Sequence, residues 1–443
     1  MKPTKLLALL CAAMLTVSST ACAAGAETKP NPDVAEVPAE TTETPSGEEV
    51  SATEEPSSGE EQSVPDEQVN PAFLTSLDKF SSNAASAVFT ATGTDKNLCF
   101  SPVSLAYALG MLSAGAQGST FNNLSSTLNL SNNDPSTVLH QFSLLIPTHM
   151  GESESAVIET ANSIWMQKDF PFLDSYTQSI TDAFQAESFL VDFEDAATAD
   201  QMAQWVTDQT HGAIQSKFVP DPMQVLSLIN TIYLKAAWMD PFQPENTTTG
   251  EFHTADGSTV NASFMEQQLL SHQYSDVNNC RVVEMPLGSG LSMSLILPNI
   301  GIDAGSLATD PAALDALLNP PEANSKMADI TIQLPRFSYD TTLNLKNTLQ
   351  SLGLGELFQD PDLSAMTTED VAVSSCIQQT HIAVDEEGCE AAAMTAIGIA
   401  AMSAPITAPE QITFRLDRPF LFVIQDTNDL PLFIGLVNQP DAQ

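Results

Sequence analysis

Between Asp385 and Pro405 the chain reads Asp-Glu-Glu-Gly-Cys-Glu-Ala-Ala-Ala-Met-Thr-Ala-Ile-Gly-Ile-Ala-Ala-Met-Ser-Ala-Pro, with no lysine or arginine and no proline before the last residue. Exposed loops of this length are normally punctuated by Pro, Gly, Asn and Asp. This one instead has the makings of a strand that is not yet paired. Read with period two, Cys389, Ala391, Ala393, Thr395, Ile397 and Ile399 share one face, and Glu390, Ala392, Met394, Ala396, Gly398 and Ala400 share the other. The first face is small or apolar and needs no charge desolvated. The only charge on the second can remain in water, and no proline interrupts the hydrogen-bond ladder, so the segment is able to enter the middle of a sheet. Its local composition is equally compatible with a buried hairpin strand or an alanine-rich helix.

A series of motifs elsewhere in the chain decides between these. Glu386-Glu387-Gly388-Cys389-Glu390-Ala391-Ala392-Ala393 resembles the hinge of the serpins, protease inhibitors whose reactive-centre loop inserts into their own sheet after cleavage. Cys389 stands where that family usually has Thr or Ser. Asn97 to Ser104 followed by Ala108 to Ala116 resembles the family's first buried strand and helix. Ala161 to Trp165, Trp205-Val206 with Thr210-His211-Gly212, and Leu228 to Lys235 with Trp238 are similar to successive serpin signatures. Phe252-His253, Val283 to Pro286, Leu334 to Phe337, Asp417 to Phe422 and Pro431 to Gly435 continue the series in family order to the end of the chain.

The resemblance implies an α+β serpin fold: one large domain with three β-sheets, about eight or nine helices and an exposed reactive-centre loop. A chain of 443 residues with 43% hydrophobic content can bury a large core, and a core above the usual single-domain size requires several sheets to share the burial. Helical periodicity over 72–90 and 102–116, and β-rich runs at 226–235, 281–298, 328–338 and 412–436, fit that class, with helices concentrated in the first half.

The N-terminus reads as targeting. Lys2 and Lys5 precede an apolar run from Leu6 to Val17, too short for a stable bilayer anchor. Ser19-Thr20-Ala21-Cys22 resembles a bacterial lipobox, which places a lipid on Cys22, although Ser19 stands where Leu is usual and Ala21-Cys22-Ala23 also suits an ordinary signal-peptidase site. The expected organisation is a signal peptide of lipoprotein type over 1–22, a disordered acidic linker rich in Pro, Ser, Thr and Glu over 23–68, and the serpin domain over 69–443. Residues 25–68 hold almost no bulky apolar side chains and do not repay the entropy of ordering. Extended they reach on the order of 140 Å, and as a coil about 35–40 Å. The segment reads as a tether through a cell-envelope layer or as a solubilising spacer. The protein is expected to be exported, either secreted or lipid-anchored at a bacterial cell surface.

A net charge of −42 with only 14 Lys and Arg excludes a phosphate-binding face, and with it nucleic acid; heparin is not expected for the same reason. No cofactor is implied. Nucleophilic catalysis needs an activated Ser, Cys or Thr beside an oriented base, and no Gly-x-Ser-x-Gly, His-Glu-x-x-His or phosphate-loop motif is present. The protein is therefore not expected to be an enzyme, and His381 reads as structural. Cys99, Cys280, Cys376 and Cys389 show no metal spacing and are expected to be mostly buried thiols.

From the resemblance, the chain is expected to act as a monomer that inhibits extracellular serine proteases irreversibly, through a covalent complex. The alternative within the family is a non-inhibitory binding or carrier protein. Small Ala391, Ala392 and Ala393 match the inhibitory pattern. The resemblance assigns Ser101, Pro102, Ser104, Asn230, Trp238 and Gln378 to the family's shutter and breach; Gln378 stands where many members carry His and is expected to keep hydrogen bonding near Ser104 and Asn230. Counting seventeen residues from Glu386 gives Met402-Ser403 as the scissile bond, with Ile399-Ala400 and Ala401-Met402 as alternates. No Arg or Lys lies between Asp385 and Gln411, so the loop suits elastase-, chymotrypsin- or subtilisin-like pockets rather than a trypsin-like one.

Overall fold

A computed structural model describes residues 68–130, 134–219, 221–389 and 409–440. The chain divides into residues 1–63 and 64–443, and the described residues all belong to the second unit. The helices are α1 (Pro71–Thr92), α2 (Pro102–Gly115), α3 (Gly118–Thr127), α4 (Pro135–Leu145), α5 (Asp174–Phe184), α6 (Ala196–Gln209), α7 (Ala304–Ala308), α8 (Pro311–Leu318) and α9 (Lys346–Leu349). The strands are β1 (Leu98–Phe100), β2 (Met150–Glu152), β3 (Ala156–Gln167), β4 (Glu187–Val191), β5 (Leu226–Ala237), β6 (Thr248–His253), β7 (Thr259–Val277), β8 (Cys280–Pro286), β9 (Ser292–Pro298), β10 (Ser325–Pro335), β11 (Phe337–Asn344), β12 (Ile377–Val384), β13 (Gly388–Cys389), β14 (Glu410–Arg415), β15 (Phe420–Gln425) and β16 (Pro431–Val437).

Among the described residues these strands form two sheets. One has nine strands in the order β1-β16-β15-β9-β8-β7-β10-β14, with β6 also on β7; the other has seven in the order β11-β12-β13-β5-β3-β2, with β4 also on β3. Three sheets were expected from the sequence. The ladders give two because the long strand β7 pairs with β6 and β10 along most of its length and with β8 at its end. The helical and β-rich spans otherwise fall where periodicity placed them, with the six longer helices of the first half preceding β5.

Helix α2 fixes the core. Ser101 caps it, its hydroxyl accepting the Ser104 N–H at 3.3 Å, and Pro102 fills the first turn where no N–H is needed. Twelve of its 14 residues are buried, because it is apolar nearly all round and packs centrally between the seven-stranded sheet and β16. Alternation along β5 separates two interiors. Leu228, Ile232, Leu234 and Ala236 face the main core with α2, whereas Ile229 faces a smaller cluster with Trp165, Trp205 and Val206, covered by α6.

Candidate functional site

The seven-stranded sheet is incomplete in its middle. β5 pairs with β3 along eleven residues, and β12 pairs with β11 along its whole length. On their facing edges only β13 stands between them: Cys389 pairs with Val384 of β12 and Ala236 of β5, and Gly388 pairs with Ala237. β13 runs antiparallel to both neighbours. For the rest of β5, among the described residues, the edge towards β12 carries no ladder partner. A cavity of about 320 Å³ occupies that interval. Leu105, Leu109 and Leu112 of α2 line it with Leu226 and Leu228 of β5 and Gln378 of β12. The segment read from sequence as an unpaired strand is thus already paired at Gly388 and Cys389.

The turn that feeds β13 is tightly held. The Asp385 carboxylate accepts the N–H groups of Glu387 and Gly388 at 2.9 and 3.3 Å, an Asx-type turn that reverses the chain after β12. Trp238, fully buried at the end of β5, donates its indole N–H to the Asp385 carbonyl at 2.9 Å and its backbone N–H to the Glu387 carbonyl at 2.9 Å. Phe242 N–H reaches the Glu386 carbonyl at 3.0 Å.

Gly388 has φ +152°, and a Cβ on it would lie 2.1 Å from the Ala236 carbonyl oxygen and 2.8 Å from Ala237 Cα. Only glycine lets the strand approach β5 this closely. Next to it Cys389 is buried. None of the four described cysteines is in a disulfide.

Glu386 is only 5% exposed, an unusual place for a carboxylate. It accepts hydrogen bonds from the Arg336 guanidinium and the Thr247 hydroxyl. Burial pushes its carboxyl up, but the Arg336 and Thr247 hydrogen bonds outweigh burial, and the net shift is below the ordinary glutamate range. Sequence reading placed Glu386 in the hinge and Arg336 in a separate motif. Their pairing was invisible there because they meet only across the sheet, fifty residues apart.

About 20 Å along β12, six residues from Val384, Gln378 forms the second cluster. Its amide oxygen accepts the Ser101 N–H at 2.9 Å and its amide nitrogen donates to the Ser101 carbonyl at 2.8 Å. Two residues along the strand, on the same face, the Thr380 hydroxyl donates to the Cys99 carbonyl at 3.0 Å. Gln378 was expected near Ser104 and Asn230. The hydrogen bonds it makes in the structure go to the Ser101 backbone at the start of α2, beside Ser104, because an amide has both the donor and the acceptor this buried peptide requires. Asn230 donates to Asn162 at 2.7 Å, and Asn162 to the Phe184 carbonyl at 2.8 Å. Among the described residues, the Asn230 Oδ1 and Thr231 Oγ1 atoms are buried without a hydrogen-bond partner.

Of the residues singled out by sequence, Ser101, Pro102, Ser104 and Gln378 therefore meet at the start of α2, and Trp238, Glu386, Glu387, Gly388 and Cys389 meet at the end of β5. Glu390, Ala391, Ala392, Ala393, Met402, Ser403 and Cys22 lie outside the described residues. His381 pairs across strands with Asp340, Nδ1 to Oδ1 at 2.7 Å. Among the described residues no cluster of His, Cys, Asp and Glu is arranged to hold a metal, and no helix is long and apolar enough to cross a membrane.

The comparisons with known proteins agree with this geometry. The family model described as Serpin (serine protease inhibitor) matches residues 75–440. Neuroserpin of Rattus norvegicus is 32% identical over 370 residues, covering 80% of this chain and 88% of the relative. The crystal structure of a thermophilic serpin, Tengpin, in the native state superposes with a TM-score of 0.73 at 25% identity, covering 85% of this chain and 96% of that one. Thyroxine-binding globulin in complex with thyroxine superposes with a TM-score of 0.70 at 25% identity, covering 82% and 99%. The chain belongs to the serpin family.

Proposed function

We propose that the chain is an irreversible suicide-substrate inhibitor of extracellular serine proteases of the elastase, chymotrypsin or subtilisin type. The observation that carries this reading is the unladdered interval between β5 and β12, entered at its head by Gly388 and Cys389, which pair with both strands. Continuing β13 in its register would set Ala391 opposite Leu234 and Ile382, and Ala393 opposite Ile232 and Thr380. The small face would then turn towards α2, on the side where Cys389 is already buried. The gain comes from two new ladders and the apolar area removed from water, each modest per residue and summed over the strand.

In this mechanism the protease serine attacks the carbonyl carbon of Met402, the Met402-Ser403 peptide bond breaks, and the new amino terminus leaves at Ser403. The acyl-enzyme is carried off as the loop inserts between β5 and β12, before water can release it. The chain supplies the bait and the free-energy drop, and the chemistry belongs to the protease. The chain is exported by its 1–22 signal peptide, with Cys22 lipidated and residues 23–68 as the tether of the 69–443 domain.

Incubating residues 69–443 with a panel of serine proteases and running a denaturing gel tests the reading. A stable covalent complex with elastase- or subtilisin-type enzymes, a released fragment beginning at Ser403, and no complex with trypsin are expected. Ala391→Arg should convert inhibitor to substrate, since its charge would have to be buried on insertion. Equal complex yield from that variant would overturn insertion. A carrier role is the second reading, favoured by the similarity to thyroxine-binding globulin in complex with thyroxine; cleavage without any covalent complex would select it.

A further inference from the structure

We propose that Leu270 and Met327 form a docking surface for the serine protease that engages the loop, an inference that rests on the inhibitory reading. Single apolar side chains in water are ordinary. Here, however, the backbone is bent to present one. The β7–β10 ladder breaks register between Ala328 and Ile330, so that Leu270 and Ser271 together oppose Asp329. Such a bulge re-aims a side chain and bends its strand. Ser271 adopts φ 49°, a conformation that costs a non-glycine residue energy and persists only where its surroundings hold it.

Asp329 does the holding. Its Oδ1 accepts the Ser271 N–H at 2.9 Å and its Oδ2 accepts the Gln411 amide at 2.7 Å. One side chain therefore fixes the bulge and ties it to β14. Leu270 is left 64% exposed and Met327 56% exposed. Met327 pairs with Gln273, and its diagonal neighbour about 7–8 Å away is Ser271, next to Leu270 in the bulge. Gln268, Gln273, Thr331 and Thr413 lie around them, with the Asp329 carboxylate already bonded to Ser271 and Gln411. An apolar anchor with a polar rim is the anatomy of a protein interface core.

The occupant follows from where the loop ends. β14 begins at Glu410, so the seven residues from Ser403 span at most about 25 Å. A protease of about 250 residues has a radius of gyration near 18 Å and is roughly 45 Å across. Leu270 lies two strands from Gln411, about 10 Å away. A protease seated on Met402-Ser403 is thus within reach of this face and would cover it with an apolar patch beside its own substrate cleft.

The test uses an elastase-type and a subtilisin-type protease whose catalytic serine is replaced by alanine, so that binding is read without cleavage or insertion. The Leu270→Ser, Met327→Ser double variant should bind about tenfold more weakly than the unaltered chain. Asp329→Asn should weaken binding in the same direction, by loosening the bulge. Ile300→Ser, at a side chain 90% exposed and in neither the loop nor this surface, is the control and should bind as the unaltered chain does. Equal affinity of the double variant and the unaltered chain, with matching melting curves, would overturn the proposal, as would a covalent complex with active protease but no measurable binding of the inactive one. Weakened binding by the variants without any covalent complex would leave the docking surface standing and refute the inhibitory mechanism instead.

Discussion

Replacing Gly388 with alanine adds one methyl group at the point where the loop strand enters the sheet. That methyl has no rotamer to choose, because Cβ is placed by the backbone, and it would sit 2.1 Å from the Ala236 carbonyl oxygen and 2.8 Å from Ala237 Cα. Both are main-chain atoms of β5, so relief requires the sheet to spread or β13 to leave. Staying in place costs about 1–3 kcal/mol for a φ of +152° on a non-glycine residue and about 1–3 kcal/mol for overpacking. Leaving gives up the Trp238–Glu387 and Phe242–Glu386 backbone hydrogen bonds and the Glu386 cluster, at about 0.5–1.5 kcal/mol for each hydrogen bond. Either route costs about 2–6 kcal/mol. For residues 64–443, an unfolding entropy of about 2.1 cal/mol/K per residue gives ~0.8 kcal/mol/K in total, so the melting temperature should fall by about 3–8 °C. Scanning calorimetry at one matched scan rate measures this, since large chains unfold irreversibly. Gly355→Ala is the control, because its nearest foreign atom would be 4.0 Å away and its φ is −61°. A Gly388→Ala transition within a degree of the unaltered chain would refute the argument that β13 needs glycine for close approach.

Three further outcomes are expected. Arg336→Gln leaves the buried Glu386 carboxylate without its cation, and with Arg336 half in water the loss should be about 1–2 kcal/mol; because the folded-state pKa of Glu386 is depressed, the deficit should be full above its ordinary value of 4.5 and shrink as the pH falls from there through the lowered folded-state value, which a series of denaturant titrations from neutral to acid pH would show. Gln378→Ala strands the Ser101 N–H and carbonyl at the buried start of α2 and should cost about 2–4 kcal/mol in guanidinium unfolding, an equal midpoint arguing against this clasp. Cleavage between Ile397 and Ser403 should raise the melting temperature by tens of degrees if the strand inserts, whereas an ordinary nicked loop gives an unchanged or lower transition.

The β-rich run 226–235 marked β5, helical periodicity marked α1 and α2, and the motifs in their order identified the family from sequence alone. These are local properties: alternation, a Ser-Pro start, an uninterrupted run of small residues. The clusters that position the hinge were not legible, because each joins residues distant in the chain. Arg336 gave no sign that its partner is Glu386, nor Gln378 that it serves the backbone of Ser101 rather than Asn230. Gly388 was read as part of the hinge motif, and only the 2.1 Å approach of β5 shows that it is required by a neighbouring strand. The bulge at Leu270 is likewise silent in sequence, since register is settled between strands rather than within one. Sequence determined which segments are strands and which face of each is apolar; the tertiary structure decided which edges meet, because desolvated polar groups take whatever partner the packed sheets bring within hydrogen-bonding distance.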